Sequence, residues 1–167
     1  MQFGIVENMA RRANWAGWPV VIHCVRTAVA AVASLLVARA FRLPASYWAP
    51  ITTLVITQSS LGAALAVSRQ RFLGTALGAA VGVAASHFGP HVFVFGAFVF
   101  LLGLICAAVH ADNSAYRFGG IALAIVMLVP GSAPAWRIAV DRSAEVSVGI
   151  GVALLLSVLW PEKEGAK

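Results

Sequence analysis

Residues 47–82 read YWAPITTLVITQSSLGAALAVSRQRFLGTALGAAVG, and this run combines four different signals. It begins with an aromatic pair and a proline, continues as an apolar segment interrupted at TQSS, and reaches a basic corner at Arg69 and Arg71. Beyond the arginines, glycine recurs at every fourth position, at Gly74, Gly78 and Gly82. Together these signals predict a membrane protein that has something to bind.

The glycine spacing predicts a helix that packs its backbone closely against another helix. In water, each glycine would destabilise a helix by about 1 kcal/mol relative to alanine. In lipid, the same spacing of small residues lets two helices approach each other. Gly74, Gly78 and Gly82 are therefore the predicted helix-packing residues.

The TQSS interruption indicates a place where the backbone or a ligand needs polar partners. Backbone groups freed at membrane depth are tolerated only where protein or a water-filled cavity receives them. Gln58, Ser59 and Ser60 are therefore candidate hydrogen-bonding groups for a ligand or for unwound backbone. The alternative is that TQSS lies at a membrane interface.

The same run resembles a known family. The pattern W-A-P-x-T from Trp48, the later S-L-G-A, and Q-R-x-x-G-T-x-x-G-A-x-x-G from Gln70 are similar to the fusaric acid resistance (FUSC) and aromatic acid exporter superfamily. Plant aluminium-activated malate transporters are more distant members. The resemblance is strongest over residues 44–82, is echoed over residues 141–161, and implies proton-driven efflux of organic or aromatic acids. Full-length members usually carry two six-span halves with soluble domains, so this chain resembles one half.

The composition is that of an integral membrane protein. Of 167 residues, 60% are hydrophobic and 11% charged, with a mean hydropathy of +0.88. Soluble domains have about a quarter of their residues charged, whereas a membrane span needs about 20 apolar residues. We expect an interfacial N-terminal segment over residues 1–18, a six-span membrane domain over residues 19–161 and a short tail over residues 162–167. The expected spans cover residues 19–38, 47–67, 72–88, 91–109 and 116–129, followed by a sixth that ends at Trp160.

An internal repeat predicts how these spans are arranged. Placing Arg71 over Arg142 puts Gly78 over Gly149, and TQSSLG then lies opposite VPGSAP. Each half has three spans, so the halves must have opposite orientations in the bilayer. The predicted fold is an all-α integral membrane protein with six transmembrane helices, arranged as two inverted three-helix repeats with interrupted second helices. Such repeats are typical of secondary transporters, which bind substrate where the interruptions meet; the alternative is that the prolines near residue 130 simply end a helix.

The side chains in and near these segments favour an anionic substrate. Arginine can pair with a carboxylate through two hydrogen bonds, while an aromatic ring stacks on the rest of an aromatic acid. The candidate substrate-binding residues are Arg26, Trp48, Thr52, Gln58, Ser59, Ser60, Arg69, Arg71 and Arg142.

Two of the charged groups allow other interpretations. Arg26 lies within the first span, where an arginine is costly unless it snorkels or faces a wet or paired interior. It is either a functional group or a structural one. Asp141 and Glu145 are candidate proton-coupling groups, or they pair with Arg142 at the start of the last span.

Several functional classes have no support in the sequence. No phosphate-binding loop, metal-spaced histidine cluster, Ser-His-Asp set or C-x-x-C pair is present, so we expect no enzyme, metal or cofactor. The net charge is +6, but the twelve basic residues are scattered between apolar segments, which argues against nucleic acid. The expected partners are membrane lipid, a small organic anion and further copies of the chain.

The resulting prediction is a bacterial inner-membrane exporter of organic anions, acting as a homodimer. An anion channel and a non-transport scaffold subunit are the alternatives. Basic residues favour the cytoplasmic side of a membrane, which predicts that both termini are cytoplasmic. That side would hold seven of them, against four on the other: Arg11, Arg12, Arg69, Arg71, Arg117, Lys163 and Lys167 against Arg39, Arg42, Arg137 and Arg142.

Overall fold

The computed structural model describes residues 17–57, 60–129 and 133–160, which form six α-helices and no β-strand. The expectation of an all-helical protein is therefore confirmed for this part of the chain. The expected N-terminal segment lies outside the described residues up to position 16, as do Gln58, Ser59 and the tail. The helices are α1 (Trp18–Ala40), α2 (Trp48–Ile56), α3 (Leu61–Ser86), α4 (Val92–Ala108), α5 (Asn113–Leu128) and α6 (Ala135–Leu159).

Two of the helices combine the length and the apolar composition of a membrane span. These are Val20–Ala40 within α1, and α6. The shorter helices α4 and α5 are also apolar, and α4 exposes large side chains such as Phe93 and Phe100. Such exposed apolar surface is what lipid covers in a membrane protein.

The expected basic corner at Arg69 and Arg71 is wrong. Both residues lie within α3, which runs without a break from Leu61 to Ser86. The polar interruption separates α2 from α3 instead, because Ser60 has an extended backbone and its hydroxyl accepts a hydrogen bond from the Ala63 N–H, capping α3. No proline follows Ser60 within α3, so nothing in the sequence ends the helix near Arg69. The interruption thus lies after the second helix rather than within it.

The glycine face of α3 packs directly on the backbone of α5. A side-chain carbon at Gly74 would overlap the carbonyl group of Ala115, and one at Gly78 would overlap that of Gly119. At Gly82 the nearest neighbour is Val126. This seam brings α3 and α5 together with parallel chain directions.

A second seam joins α6 to α2 in the same way. A side-chain carbon at Gly149 would lie 2.5 Å from the Ala49 carbonyl oxygen and 2.6 Å from Thr52 Cβ. The Thr53 hydroxyl lies 3.1 Å from the Gly149 carbonyl oxygen, to which it donates across the seam. Further along, Ile56 packs against Ala153, so α2 and α6 are also parallel.

The two seams correspond under the register that places Arg71 over Arg142. In that register Gly78 on α3 lies over Gly149 on α6, and their neighbours Gly119 and Ala49 occupy matching places on α5 and α2. The two surrounding apolar clusters, each of which draws on both halves, also match: Ile56, Ala64, Val67, Ile150 and Leu154 in one cluster correspond to Val126, Ala135, Ile138, Ala79 and Val83 in the other.

The second helix of each half does not begin level with the helix on which it packs. Its first residue lies beside the interior of that helix, several turns after the start. The Ala45 N–H just before α2 meets Glu145, ten residues into α6, which is about 15 Å along the helix. Likewise, Ala115 at the start of α5 meets Gly74 well inside α3. The first turns of α3 and α6 are therefore left uncovered by these partners, and each uncovered stretch borders a cavity.

Candidate anion-binding site

Arg142 is buried on α6 and lies over the ring of Trp48. Its guanidinium carbon is 3.9 Å from the ring centroid, and its residue is 4% exposed. Its Nη1 atom lies 3.0 Å from Glu145 Oε2, an ion pair without a well-directed hydrogen bond between these two atoms. The other carboxylate oxygen of Glu145 accepts a hydrogen bond of 2.9 Å from the Ala45 N–H. The start of α2 and the Arg142 guanidinium thus converge on one carboxylate.

Arg71 on α3 has a matching environment in the other half. It is 6% exposed, and its guanidinium carbon lies 4.7 Å from the ring centroid of Phe118. Its Nε donates a hydrogen bond of 3.2 Å to the Thr52 hydroxyl. No carboxylate among the described residues pairs with Arg71. Each arginine therefore lies on an aromatic ring of the second helix of the opposite half.

A small cavity separates the two arginines. Arg71, Phe118, Arg142 and Trp48 all line it, together with apolar side chains of α5 and α6. Its volume is about 20 Å³, which is enough for about one water molecule. Two cationic groups are thus held close together in the interior of the bundle.

The larger cavity beside α6, which we name the α6 vestibule, opens above Arg142. Its volume is about 630 Å³, within the usual range for ligand pockets. Trp48, Arg142 and Ile125 line both this vestibule and the small cavity, so the vestibule reaches Arg142 and adjoins the small cavity. Its lining comprises Pro44, Ala45, Tyr47, Trp48, Ile125, Val129, Ala133, Pro134, Arg137, Ile138, Asp141, Arg142 and Glu145.

The corresponding cavity beside α3, the α3 vestibule, has a volume of about 490 Å³. Arg69 and Gln70 line it from α3, and the Gln70 amide donates a hydrogen bond to the carboxylate of Asp112 at the start of α5. Arg71 does not line this vestibule, whereas Ala115, which contacts Gly74, does. The two vestibules therefore differ in their access to the arginine pair.

The remaining predicted residues occupy other places. Arg26 is buried between α1 and α6, where its Nη2 donates a hydrogen bond of 3.2 Å to the Ser157 hydroxyl, and it does not line the α6 vestibule. Ser60 caps α3. Gln58 and Ser59 lie outside the described residues. Arg71, Arg142, Trp48 and Thr52 are the predicted substrate-binding residues that the fold brings together, with Asp141 and Glu145 in the adjoining vestibule.

Sequence reasoning missed Phe118 and the Ala45 N–H. The internal repeat contained only a partial signal for Phe118, because the register of Arg71 over Arg142 places Tyr47 over it. The structure shifts the second helices by one residue, so that Ala49 matches Gly119 and Trp48 matches Phe118. The Ala45 N–H is a backbone donor, so the type of residue at position 45 gives no indication of it. Its role depends on where α2 begins relative to Glu145.

The interior carries an excess of positive charge. The buried charged residues in the described part of the chain are Arg26, Arg71, Arg142 and Glu145. Charged groups within a membrane domain are costly, and they mark substrate or ion pathways. No cluster of three or more His, Cys, Asp or Glu side chains suited to a metal ion is found among the described residues.

Comparison with known proteins identifies the family. The family model described as fusaric acid resistance protein-like matches residues 29–156, which is most of the chain. The chain belongs to the fusaric acid resistance protein-like family. The resemblance drawn from residues 44–82 is thus confirmed, and this family member is a membrane protein of a transporter-related family.

A curated relative agrees with the family assignment. Inner membrane protein YeeA of Escherichia coli (strain K12) is 26% identical to the chain over 152 residues. The match covers 86% of this chain and 42% of the relative, so the fusaric acid resistance-like chain spans less than half of that protein's length.

Proposed function

We propose that this protein is an inner-membrane exporter of organic and aromatic acid anions. The observation that carries the proposal is the pair of buried arginines, Arg71 and Arg142, each lying on an aromatic ring, with Arg142 also lining a cavity of ligand size. A guanidinium group pairs with a carboxylate, and an aromatic acid could replace or extend the stack on Trp48 or Phe118. The family assignment supports transport as the activity.

The proposed architecture has six spans in two inverted three-helix repeats. The matching seams at Gly78 and Gly149, and the matching apolar clusters, support it. With both termini in the cytoplasm, the α6 vestibule opens to the periplasm and the α3 vestibule, with Arg69, opens to the cytoplasm. The start of α2 points into the α6 vestibule, as half-helix N-termini point at anionic groups in other transporters.

Each polar residue then has a role in transport. Arg142 and Arg71 hold the substrate carboxylate in turn, and Thr52 orients the Arg71 guanidinium. Asp141 and Glu145 are the proposed proton-coupling groups, and they exchange protons with the periplasm through the α6 vestibule. Ser60 caps α3, and Gln58 and Ser59 are proposed as hydrogen-bonding groups for the substrate.

Transport of radiolabelled benzoate tests this function. Proteoliposomes are assayed at alkaline pH, where little neutral acid leaks through lipid, and protein-free liposomes give the leak. We expect saturable flux that is lost in Arg71→Gln and Arg142→Gln and retained in Arg39→Gln, which changes an exposed arginine at the end of α1. Flux equal to the leak, or full flux in both buried-arginine variants, overturns the proposal. Flux that rises without saturation indicates a channel instead.

We also propose that the functional unit is a homodimer. Two copies would supply the two six-span halves that the resemblance implies. Light scattering coupled to size-exclusion chromatography measures the protein mass in the detergent micelle. A monomer that transports benzoate would contradict this part of the proposal.

A further inference from the structure

The carboxylate of Glu145 lies in a position built for an anion. It is fully buried, its Oε2 atom is 3.0 Å from Arg142 Nη1, and its Oε1 atom accepts the Ala45 N–H at 2.9 Å. A guanidinium group pairs strongly with a carboxylate, and a backbone N–H can donate to one. Here the Arg142 guanidinium and the Ala45 N–H, in the turn before α2, act on one side chain that lines a cavity of about 630 Å³.

Packing does not require a carboxylate at this position. The register that aligns the two halves places Glu145 over Gly74, where the equivalent seam closes with no side chain at all. In that half Arg71 donates to the Thr52 hydroxyl and pairs with no described carboxylate. Glu145 is therefore an addition to one half of the repeat, placed where a ligand from the vestibule would reach Arg142.

We propose that the Glu145 carboxylate competes with the substrate carboxylate for one position beside Arg142. Glu145 occupies this position when it is ionised and leaves it when it is protonated. This inference rests on the proposed function and adds how the site is regulated. An incoming organic anion and the ionised Glu145 compete for the same guanidinium and the same N–H donor. Because two carboxylates cannot occupy the same position beside Arg142 Nη1 and the Ala45 N–H, protonation and departure of Glu145 free that position for the substrate.

Several other charged or titratable groups face this site, and the experiment must separate their effects. The elements around Glu145 contribute Arg137, Asp141 and Arg142 from α6, Tyr47 from the connection before α2, and Arg71 from α3. The lining residues from α5, Ile125 and Val129, are apolar. Asp141 is the other carboxylate in the vestibule, so a pH effect must be traced to one of the two.

Equilibrium binding of benzoate to the purified protein tests the inference. We expect Glu145→Gln to bind benzoate about tenfold or more tightly than the wild-type chain at neutral pH, because the competing state is removed. Wild-type affinity should rise as the pH falls, whereas affinity in Glu145→Gln should not change with pH. Asp112→Asn, which neutralises a carboxylate in the α3 vestibule, should match the wild type, and empty micelles give the background.

Each outcome decides the matter. If the wild type binds benzoate and Glu145→Gln binds no more tightly, the competitor role is wrong and the proposed function stands. If pH dependence persists in Glu145→Gln, Asp141 is responsible and the inference fails. If neither protein binds benzoate, the proposed function fails as well. If Glu145→Gln does not fold, the wild-type profile decides, since an affinity for benzoate independent of pH overturns the inference.

Discussion

The backbones of Gly78 on α3 and Gly119 on α5 are in direct contact, with no room for a side-chain carbon at Gly78. We expect Gly78→Ala to destabilise the protein by about 1–3 kcal/mol, because overpacking forces the two helices apart. The unfolding free energy in a mixed-micelle denaturant titration measures this loss. Gly151→Ala on α6 is the matched control, since nothing lies near that position and alanine favours the helix. Equal stability of the two variants would show that the seam does not determine the packing.

Trp48 should contribute directly to anion affinity. Its ring holds the Arg142 guanidinium at 3.9 Å, and such contacts are worth about 0.5–2 kcal/mol. We expect Trp48→Leu to weaken benzoate binding by about 2-fold to 30-fold, and Trp48→Phe to restore part of the loss. Trp136→Leu is the control, because Trp136 is exposed on the same helix as Arg142 and does not line the α6 vestibule. Unchanged benzoate affinity in Trp48→Leu would show that the Trp48 ring does not contribute to anion binding.

The Thr52 hydroxyl should stabilise the buried Arg71. Thr52→Val keeps the shape of the side chain but removes the acceptor of the Arg71 Nε–H, which costs about 1–3 kcal/mol in a buried setting. Thr27→Val is the comparison, because the buried Thr27 hydroxyl has no hydrogen-bond partner, and its removal should be neutral or stabilising. Unfolding free energies of both variants test the contrast. A larger loss in Thr27→Val would contradict it.

Arg26 is expected to act on stability rather than on substrate. Its hydrogen bond to Ser157 joins α1 to α6, away from the α6 vestibule. Ser157→Ala should lower the unfolding free energy by about 1.5–3 kcal/mol, the value of a hydrogen bond to a charged group, and leave benzoate affinity unchanged. Ser147→Ala on the same helix should have little effect, since that exposed hydroxyl bonds only within α6. Reduced benzoate affinity in Ser157→Ala would show that Arg26 contributes to substrate binding.

The glycine spacing and the internal repeat were the sequence features that best predicted how the helices pack. The spacing from Gly74 to Gly82 identified a helix face whose contacts the structure then located, because a missing side chain leaves a periodic pattern in the sequence. Aligning Arg71 with Arg142 placed Gly78 over Gly149, and the structure puts both glycines in close helix–helix contacts. Both signals are local or repeated, so one sequence is enough to reveal them.

The helix boundaries and the individual contacts required the structure. TQSS reads as an interruption within a span, and only the structure shows that one helix ends at Ile56 and a new, continuous one begins after Ser60. The separation of Arg26 from Arg142 depends on how α1 packs against α6, which spacing does not encode. The meeting of Glu145 with the Ala45 N–H likewise joins residues that are distant in the chain.

The short second helices have an electrical consequence. If water fills both vestibules, the low-dielectric layer between them is far thinner than the bilayer, and most of the membrane voltage falls across the region of Arg71 and Arg142. An anion crossing that thin layer would gain or lose about 2.3 kcal/mol per 100 mV in one short step. The potential of a respiring cell, negative inside, would then push an exported carboxylate outward at the place where the protein holds it.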